Sequence, residues 1–414
     1  MTKKVIAILS LFMGLVGYSQ ENTASPYSAF GIGEVRFRGT EAEKAMGSLA
    51  ITGDSITVNL LNPASYSHLK LTNFSIGGTS TFSNLKNNIN SENAKRTGID
   101  YLNVGIPMGK FGATLGLMPY SSVGYKISNT TTENDLERTK RFSGDGYINK
   151  VYLGGAYSFN KNLSFGLNFE YNFGNIENKI VESITNVQLA TRELNESSIK
   201  GISVKAGFLY NRKLNEKLDF YSGITYQPKS KLNTDNDRTL STVTFSASGN
   251  ELVVDQGDTY SNESKLIIPS RFSFGGGIGE RNKWLLGADI ALLNSKDQTN
   301  RLENTLSEYK NGQTYAIGGY YIPDYDSFTN YFKRVIYRAG FRYEKTGLIV
   351  NSEDINNYGM NFGFGFPLGT SKLDLGLEFG KRGTTNSNLI QENYFNLSIG
   401  LSISDKWFRK VLID

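Results

Sequence analysis

A strict alternation of apolar with polar or small residues over several long segments is the feature that most constrains the fold. Over residues 163–173 every odd-numbered residue is apolar or aromatic, and every even-numbered residue is polar or glycine. The same period of two recurs over 358–366, 373–380 and 395–403. Because successive side chains of a β-strand point to opposite faces, each segment predicts a strand with one apolar face.

The predicted strands are too long and too poorly covered for an ordinary soluble sheet. They run for about ten residues or more, whereas strands of globular sheets usually have five or six. No helical pattern is available to cover their apolar faces. A closed barrel with lipid outside and a polar lumen would satisfy every backbone group. The composition of 44 Gly, 24 Tyr and 25 Phe with only 8 Pro agrees with such a barrel, since aromatic residues form interfacial bands and proline interrupts the ladder.

Short and long polar links alternate between the predicted strands, as in outer-membrane barrels with tight periplasmic turns and long outer loops. The short links lie near 108–110, 160–161, 214–217, 279–282 and 368–371, and the long ones near 83–96, 129–141, 175–197, 229–263, 295–310, 345–356 and 381–389. A sixth inner connection near 323–333 is longer and is expected to carry a helical turn. Segments 243–248 and 251–255 of the longest link are candidates for a small hairpin. The pattern predicts an all-β, antiparallel transmembrane β-barrel of about 14 strands with both ends periplasmic.

The first 19 residues are predicted to be a signal peptide, and residues 20–69 a separate segment. Lys3 and Lys4 form a basic start, residues 5–16 are apolar, and Gly17 and Ser19 supply the small residues needed for cleavage. Residues 20–69 lack sustained alternation but are too apolar for a disordered tail. A periplasmic domain is one alternative. We favour a plug, or hatch, inside a barrel formed by residues 70–414, because many predicted lumen positions are glycine and leave room for it. The barrel is expected in a bacterial outer membrane.

Small residues and short motifs follow a definite order in the predicted hatch. They are Gly33, Ala45-Met46-Gly47, Ala50, Asp54 and the tripeptide Asn62, Pro63, Ala64. This order resembles the bacterial long-chain fatty-acid channel family (FadL-like). The resemblance implies a hatch that plugs a fourteen-stranded barrel and ends in an Asn-Pro-Ala box, which fits against a kink in the third strand. Pro119 lies in the predicted third strand, where it would remove a ladder hydrogen bond. The resemblance therefore implies a gate made by Asn62, Pro63, Ala64 and Pro119, whereas a plain Asn-Pro turn is the structural alternative.

The predicted lumen face is unexpectedly polar for a passage that carries apolar molecules. Arg334, Arg338 and Arg342 recur at a spacing of four and are expected to face the lumen as a ladder on one strand. Other predicted lumen positions are Lys150, Asn168, Glu170, Lys205, Asp219, Asp289, Asp374 and Glu378. The arginines either bind an anionic substrate or pair with lumen carboxylates and with Glu34, Glu41 and Glu43 of the hatch. We favour pairing, because unpaired charge in a narrow barrel is costly.

The sequence offers poor support for catalysis or for a cofactor. The single histidine, His68, lies at the junction of hatch and barrel, on the predicted periplasmic side. A serine hydrolase would ordinarily need such a histidine as its base, so His68 is better read as a structural residue. The chain has no Cys, which removes thiol and iron–sulfur chemistry. Asp235 and Asp237 lack the glycine and glutamate of a calcium loop, and the glycines of 275–279 precede no helix that could form a phosphate site.

Two classes of function therefore stay open, with an outer-membrane enzyme a remote third. The first is a FadL-like channel for passive uptake of small hydrophobic molecules. The second is a non-enzymatic accessory or scaffold barrel in an outer-membrane protein assembly or secretion complex. The expected partners are outer-membrane lipid, and either a hydrophobic small-molecule ligand or protein partners of that complex. No cofactor and no metal is expected, and the net charge of +5 gives no reason to expect nucleic acid.

Overall fold

A computed structural model describes residues 23–133, 135–298 and 307–407 of the chain. The predicted signal peptide, residues 1–19, lies outside the described residues. No helix in the described part of the chain is long and apolar enough to cross a membrane.

The described chain is built almost entirely from β-strands. Short helical elements are the α-helix α1 (Glu41–Lys44) and 3-10 turns at Pro26–Ala29, Pro63–His68, Tyr331–Arg334 and Asn386–Asn388. The strands are β1 (Glu34–Val35), β2 (Thr72–Lys86), β3 (Ser91–Met108), β4 (Phe111–Glu133), β5 (Leu136–Ser158), β6 (Leu163–Ile184), β7 (Ala190–Lys213), β8 (Asp219–Gln227), β9 (Ser230–Phe245), β10 (Glu251–Ile268), β11 (Ser270–Glu280), β12 (Trp284–Asn294), β13 (Ser307–Tyr309), β14 (Gly312–Tyr321), β15 (Ile336–Val350), β16 (Glu353–Leu368), β17 (Ser371–Arg382) and β18 (Gln391–Asp405).

Fourteen of these strands form a closed antiparallel barrel, which confirms the predicted class and strand number. They are β2 to β8, β11, β12 and β14 to β18, each paired with its neighbours along the wall. The barrel closes where β18 pairs with β2, from Gln391–Lys86 to Asp405–Thr72. Closure removes the open edges that an ordinary sheet would expose.

The two ends of the barrel differ in how the strands are joined. At the turn end, which also holds Thr72 and Asp405, five connections are tight and the sixth, residues 322–335, is longer. This sixth connection contains the 3-10 turn Tyr331–Arg334, in which the Asn330 side chain accepts a hydrogen bond from Phe332 N–H. Arg334 therefore lies in a capped turn before β15. The prediction that it continues a strand ladder with Arg338 and Arg342 is wrong for this residue.

At the opposite, loop end several polar segments predicted as loops are instead strand. β4, β5, β6 and β7 have 22 to 24 residues, whereas β12 and β14 have 11 and 10. The predicted small hairpin is the tip of the longer β9–β10 hairpin, and β9 pairs with the upper part of β7. Cross-strand pairing has overridden the polar composition of these segments. One side of the barrel therefore carries a tall sheet made of β4 to β7, β9 and β10.

The two faces of the wall follow the predicted alternation. On β6, Leu167 and Phe169 are exposed on the outside, while Asn168 and Glu170 are buried inside. Pairs of neighbouring aromatic rings mark two bands on the outer face. The band near the turn end includes Phe111–Tyr157, Phe165–Phe208 and Tyr337–Phe364, and the band nearer the loop end includes Tyr315–Tyr343, Tyr343–Tyr358 and Phe379–Phe395. This outer face is suited to lipid.

Replacing Leu167 by Arg tests the assignment of the lipid face. Leu167 lies between the two aromatic bands on β6, so the change should destabilise the barrel by about 2–4 kcal/mol, measured by urea unfolding in lipid bilayers. Leu240 of β9 is a matched control, because it is 41% exposed against 37% for Leu167 but lies in the polar hairpin above the barrel. Leu240→Arg should change stability by less than about 0.5 kcal/mol. Equal losses in the two variants would mean that the lipid face is misassigned.

Candidate functional site

Residues 23–71, which precede the first barrel strand, lie directly against the inner wall; we call them the N-terminal segment. A Cβ atom on Gly112 of β4 would collide with the Tyr66 carbonyl oxygen, and one on Gly340 of β15 with Gly47 N. Further wall glycines that leave no room for a side chain beside this segment are Gly166, Gly223, Gly318, Gly363 and Gly400. Glycine is needed at these positions because backbone atoms of the segment, or side-chain atoms at Gly363 and Gly400, occupy the space that a side chain would fill.

The Asn-Pro-Ala tripeptide joins two parts of this segment to the wall. Asn62 is fully buried, and its side chain accepts a hydrogen bond from Ala64 N–H at 3.1 Å, which caps the 3-10 turn Pro63–His68. Its amide nitrogen donates to the carbonyl oxygens of Ala50 at 3.1 Å and of Phe208 in β7 at 3.0 Å. Pro63 packs against Gly166 and Gly207. The tripeptide therefore docks on β6 and β7, and its role in a gate with Pro119 stays a prediction.

Pro119 lies next to the point where pairing between β3 and β4 ends. β3 and β4 pair from Met108–Phe111 only as far as Leu102–Leu117, and no further pairing between them occurs among the described residues. β4 continues to pair with β5, with an irregularity between Pro119 and Ser121. The predicted ladder break at Pro119 thus coincides with a gap between β3 and β4. Ile99 and Leu117 beside the gap are exposed on the outer face, so the gap begins within the apolar part of the wall.

The N-terminal segment bridges this gap from the inside. Its strand β1 pairs with β4, with Glu34 opposite Ser122 and Val35 opposite Ser121. Arg36 N–H then donates to the Tyr120 carbonyl oxygen at 2.9 Å. On the other side of the gap, the Arg36 guanidinium lies 3.7 Å from the Asp100 carboxylate of β3. A short strand and an arginine therefore link the two separated edges.

Glu34 is the centre of an ion-pair cluster that fixes β1. Its carboxylate lies 3.3 Å from Arg96 of β3 and 2.8 Å from Arg382 of β17. Arg382 also lies 3.5 Å from Glu392 of β18. Burial alone raises the pKa of Glu34, but the charges of Arg382 and Arg96 outweigh it and hold that pKa well below its usual value. Glu34 therefore stays ionised, and it ties β1 to both β3 and β17.

A second group of ion pairs holds α1 and the residues before it. Lys44 lies 2.6 Å from Asp100 and 3.0 Å from Glu41. Arg38 lies 3.6 Å from Glu344 and 3.7 Å from Glu378. In this way the segment is bound by charge to β3, β15 and β17.

Glu43 differs from Glu34 in that it makes its hydrogen bonds within the segment. Its carboxylate accepts from the Thr40 N–H and hydroxyl, each at 2.7 Å. Burial raises the pKa of Glu43 to about 7, although the bonds from Thr40 oppose the shift. None of the three hatch glutamates pairs with an arginine of the predicted ladder in the described residues: Glu34 pairs with Arg96 and Arg382, Glu41 with Lys44, and Glu43 is held by Thr40.

The two remaining arginines of the predicted ladder face the lumen and are both paired. Arg338 lies 2.8 Å from Asp374, and Arg342 lies 2.6 Å from Glu344 and 2.9 Å from Glu378. Both arginines are buried. The structural interpretation therefore accounts for their charge, and neither is left free for an anionic substrate.

Sequence reasoning missed Arg96, Asp100 and Arg382, since it placed them in or beside outer loops. Arg382 has the same parity as the lumen residues Asp374 and Glu378, so extending the alternation of β17 would have found it. Asp100 lies next to an irregularity between Gly77 and Gly78 in the β2–β3 pairing, which shifts the parity of β3. No pattern in the sequence signals that shift.

A cavity of about 230 Å³ lies inside the barrel next to β1. Its lining includes the apolar or aromatic residues Phe30, Ile32, Met118 and Tyr120. It also includes the charged residues Lys150, Glu170, Lys205, Arg271 and Asp289. Val35 and Tyr120 border both the cavity and the gap between β3 and β4. The lumen therefore contains a space with mixed lining directly behind the opening in the wall.

The other candidate residues have structural surroundings. His68 Nε2 lies 2.9 Å from Ser164 Oγ, near the turn end. Asp235 pairs with Lys200 at 3.0 Å within strand, and the glycines of 275–279 belong to β11. Within the described ranges, no group of three or more His, Cys, Asp or Glu residues is placed to hold a metal ion.

Replacing Gly207 by Ala tests how the segment docks. A Cβ on Gly207 would collide with the Asn62 side chain and lie 2.7 Å from Pro63 Cδ, so the tripeptide should lift off the wall. In the matched control Gly155→Ala the new atom points outward and meets nothing within 4 Å. We expect a cysteine introduced as Ser65→Cys, in this Cys-free chain, to react at least about tenfold faster with a maleimide beside Gly207→Ala than beside Gly155→Ala, because the open population rises tenfold per 1.4 kcal/mol. Equal rates would contradict this docking.

Comparison with known proteins places the chain in a family. No curated protein matches the sequence. The toluene transporter TodX of Pseudomonas putida has a similar structure, with 15% identity and a TM-score of 0.60 over 90% of this chain and 98% of that chain. A FadL homologue of Pseudomonas aeruginosa is similar at 12% identity, with a TM-score of 0.56 over 91% of this chain and 100% of that chain. At these identities the likeness concerns the fold, a FadL-like barrel. A family model described as BamG matches residues 1–414, and the protein therefore belongs to the BamG family.

Proposed function

We propose that this protein is an outer-membrane channel through which small hydrophobic molecules pass by way of an opening in the side of the barrel. The observation that carries the proposal is the gap between β3 and β4, which begins in the apolar part of the wall and has a cavity behind it. The fold supports this, because the similar structures are described as a toluene transporter and a FadL homologue. A lateral exit suits apolar molecules, since they would enter the lipid without crossing water.

In this proposal the N-terminal segment, within residues 20–69, acts as a plug. Its close contacts with glycines on several strands of the wall support this role. A ligand would enter from the loop end, occupy the cavity, and leave between β3 and β4. Because β1 is paired with β4 at this place, β1 has to move for the passage to open.

A reversible disulfide between β1 and β4 tests this movement. Val35 and Ser121 are direct partners, and opposed residues of antiparallel strands have Cα atoms about 4.5–5.5 Å apart, which a disulfide can bridge. In cells that carry Val35→Cys with Ser121→Cys, uptake of radiolabelled toluene and oleate should fall to the level of cells lacking the protein. A reducing agent should restore uptake, because it breaks the disulfide and leaves the rest of the protein unchanged.

The two single-cysteine variants are the controls and should keep the uptake of the unmodified protein. Complete disulfide formation with unchanged uptake would exclude exit through this gap. Equal uptake by cells with and without the protein would exclude transport of these compounds as its function.

A second function, an accessory subunit of an outer-membrane protein assembly or secretion complex, is favoured by the ion pairs. Glu34, Arg36 and Arg38 together contact charged groups on β3, β15 and β17, and backbone pairing joins β1 to β4 on the other side of the gap. Such a sealed lumen suits a structural subunit. The family name BamG hints in the same direction, toward a partner in a complex.

The same locked variant separates the two functions. An accessory subunit does not need β1 to move, so the oxidised variant should fully restore the abundance of other outer-membrane proteins in a deletion strain. A channel should leave that abundance unchanged on deletion. Purification in mild detergent, followed by mass spectrometry of bound proteins and lipids, would identify the partner or the ligand directly.

A further inference from the structure

Buried apolar side chains form one continuous cluster inside the barrel near its loop end; we call it the apolar layer. The N-terminal segment contributes Tyr27, Phe30 and Ile32 to it. Its members on the wall include Val123, Ile148, Ile176, Leu348, Val350 and Ile355. All of these side chains are buried. Because the interior of a membrane barrel is usually polar, an apolar layer at this level is unexpected.

The apolar layer reaches from one side of the lumen to the other. Ile148 belongs to β5 and Leu348 to β15, and these strands are opposite each other, since six of the fourteen barrel strands lie between them on either side. Among the described residues, β2, β3, β17 and β18 contribute no buried member to the cluster on one side, and β11, β12 and β14 contribute none on the other. The layer therefore crosses the lumen instead of following the wall.

The charged part of the lumen lies behind this layer, as seen from the loop end. On β5, Ile148 is nearer the loop end than Lys150. On β15, Leu348 is nearer the loop end than Glu344, and both residues line the cavity. A molecule that comes from the loop end therefore meets apolar groups before it reaches the cavity and the ion pairs.

We propose that the apolar layer is the permeability barrier of this barrel, which excludes ions and polar solutes and admits apolar molecules. An ion that enters the layer would lose its water of hydration and find no polar group to replace it, and an apolar constriction of this kind also excludes water. An apolar molecule has no such cost, because leaving water is favourable for it. The exclusion of ions follows from the layer alone, whereas the admission of apolar molecules rests on the proposed function.

Ion conductance across planar lipid bilayers in potassium chloride tests the barrier. The purified, unmodified protein should give no current above that of the bare bilayer. The double variant Val123→Asn with Val350→Asn places amides on two sides of the layer, and it should raise the current at least about tenfold above that background, because water can then enter.

The matched control is Val181→Asn with Val243→Asn. These two valines are also buried, but they belong to a separate cluster of β6, β7 and β9, so the current should stay at the background. Circular dichroism reports whether each variant folds. If the Asn pair in the layer does not fold, Val123→Thr with Val350→Thr keeps the shape of valine and should still raise the current, whereas Val181→Thr with Val243→Thr should not.

Three results would overturn the barrier. An open-pore current through the unmodified protein would mean that the layer does not stop ions. A folded layer variant without current would make the layer an ordinary part of the packing. Equal currents in the layer and control variants would mean that any loosening opens the lumen.

Uptake of radiolabelled toluene by cells tests the admission of apolar molecules separately. It should fall about tenfold in the layer variant and stay unchanged in the control, because amides stabilise toluene less well and 1.4 kcal/mol corresponds to a factor of ten. Equal protein-dependent uptake in the two variants would remove this role of the layer. Equal uptake by cells with and without the protein would contradict the proposed function, but it would leave the barrier to ions, which conductance measures independently.

Discussion

The structure depends above all on the need of every backbone N–H and C=O group within lipid to find a partner. Among the described residues, β7 lacks a partner on one side over 201–205, where it passes from β8 to β9, and the β3–β4 seam stops at Leu102–Leu117. The hydrogen bonds of β1 to β4 and of Arg36 to Tyr120 replace part of what is missing. The N-terminal segment therefore lies where the β3–β4 seam leaves backbone groups without partners in the wall.

Ion pairs as well as close packing on wall glycines hold the N-terminal segment against the wall. A buried ion costs several kcal/mol when it loses its partner, so Arg96 and Arg382 need Glu34, and Asp100 needs Lys44 and Arg36. Wall glycines such as Gly112 and Gly340 let the backbone approach closely enough for these pairs to form. A barrel without the segment would keep unpaired charges in its lumen, and we infer that wall and segment are stable only together.

The sequence predicts those parts of the molecule that local pattern controls. Period two fixed which side of β6 faces outward, and Pro119 located the break in the ladder because proline cannot donate to it. The composition predicts loops for the polar segments of β4 to β7, because pairing between distant strands leaves no mark in composition. The spacing of four predicts the wrong location for Arg334, because it does not reveal the 3-10 turn that Asn330 caps. The ion-pair partners of Glu34 come from two distant strands, β3 and β17, and no single stretch of sequence brings them together.

The energetics of the gap constrain any function that requires it to open. Displacing β1 separates Glu34 from Arg96 and Arg382 and exposes the edge of β4. Because the lumen has a low dielectric, these losses are costly and strongly favour the closed form. A ligand can shift this equilibrium only by as much as it prefers the open form. A small apolar molecule offers no replacement for the lost charges, so its preference must come from contacts with apolar lining residues such as Phe30, Met118 and Tyr120. A channel of this design would be closed at rest and would open rarely, whereas an accessory barrel would use the same ion pairs without ever breaking them.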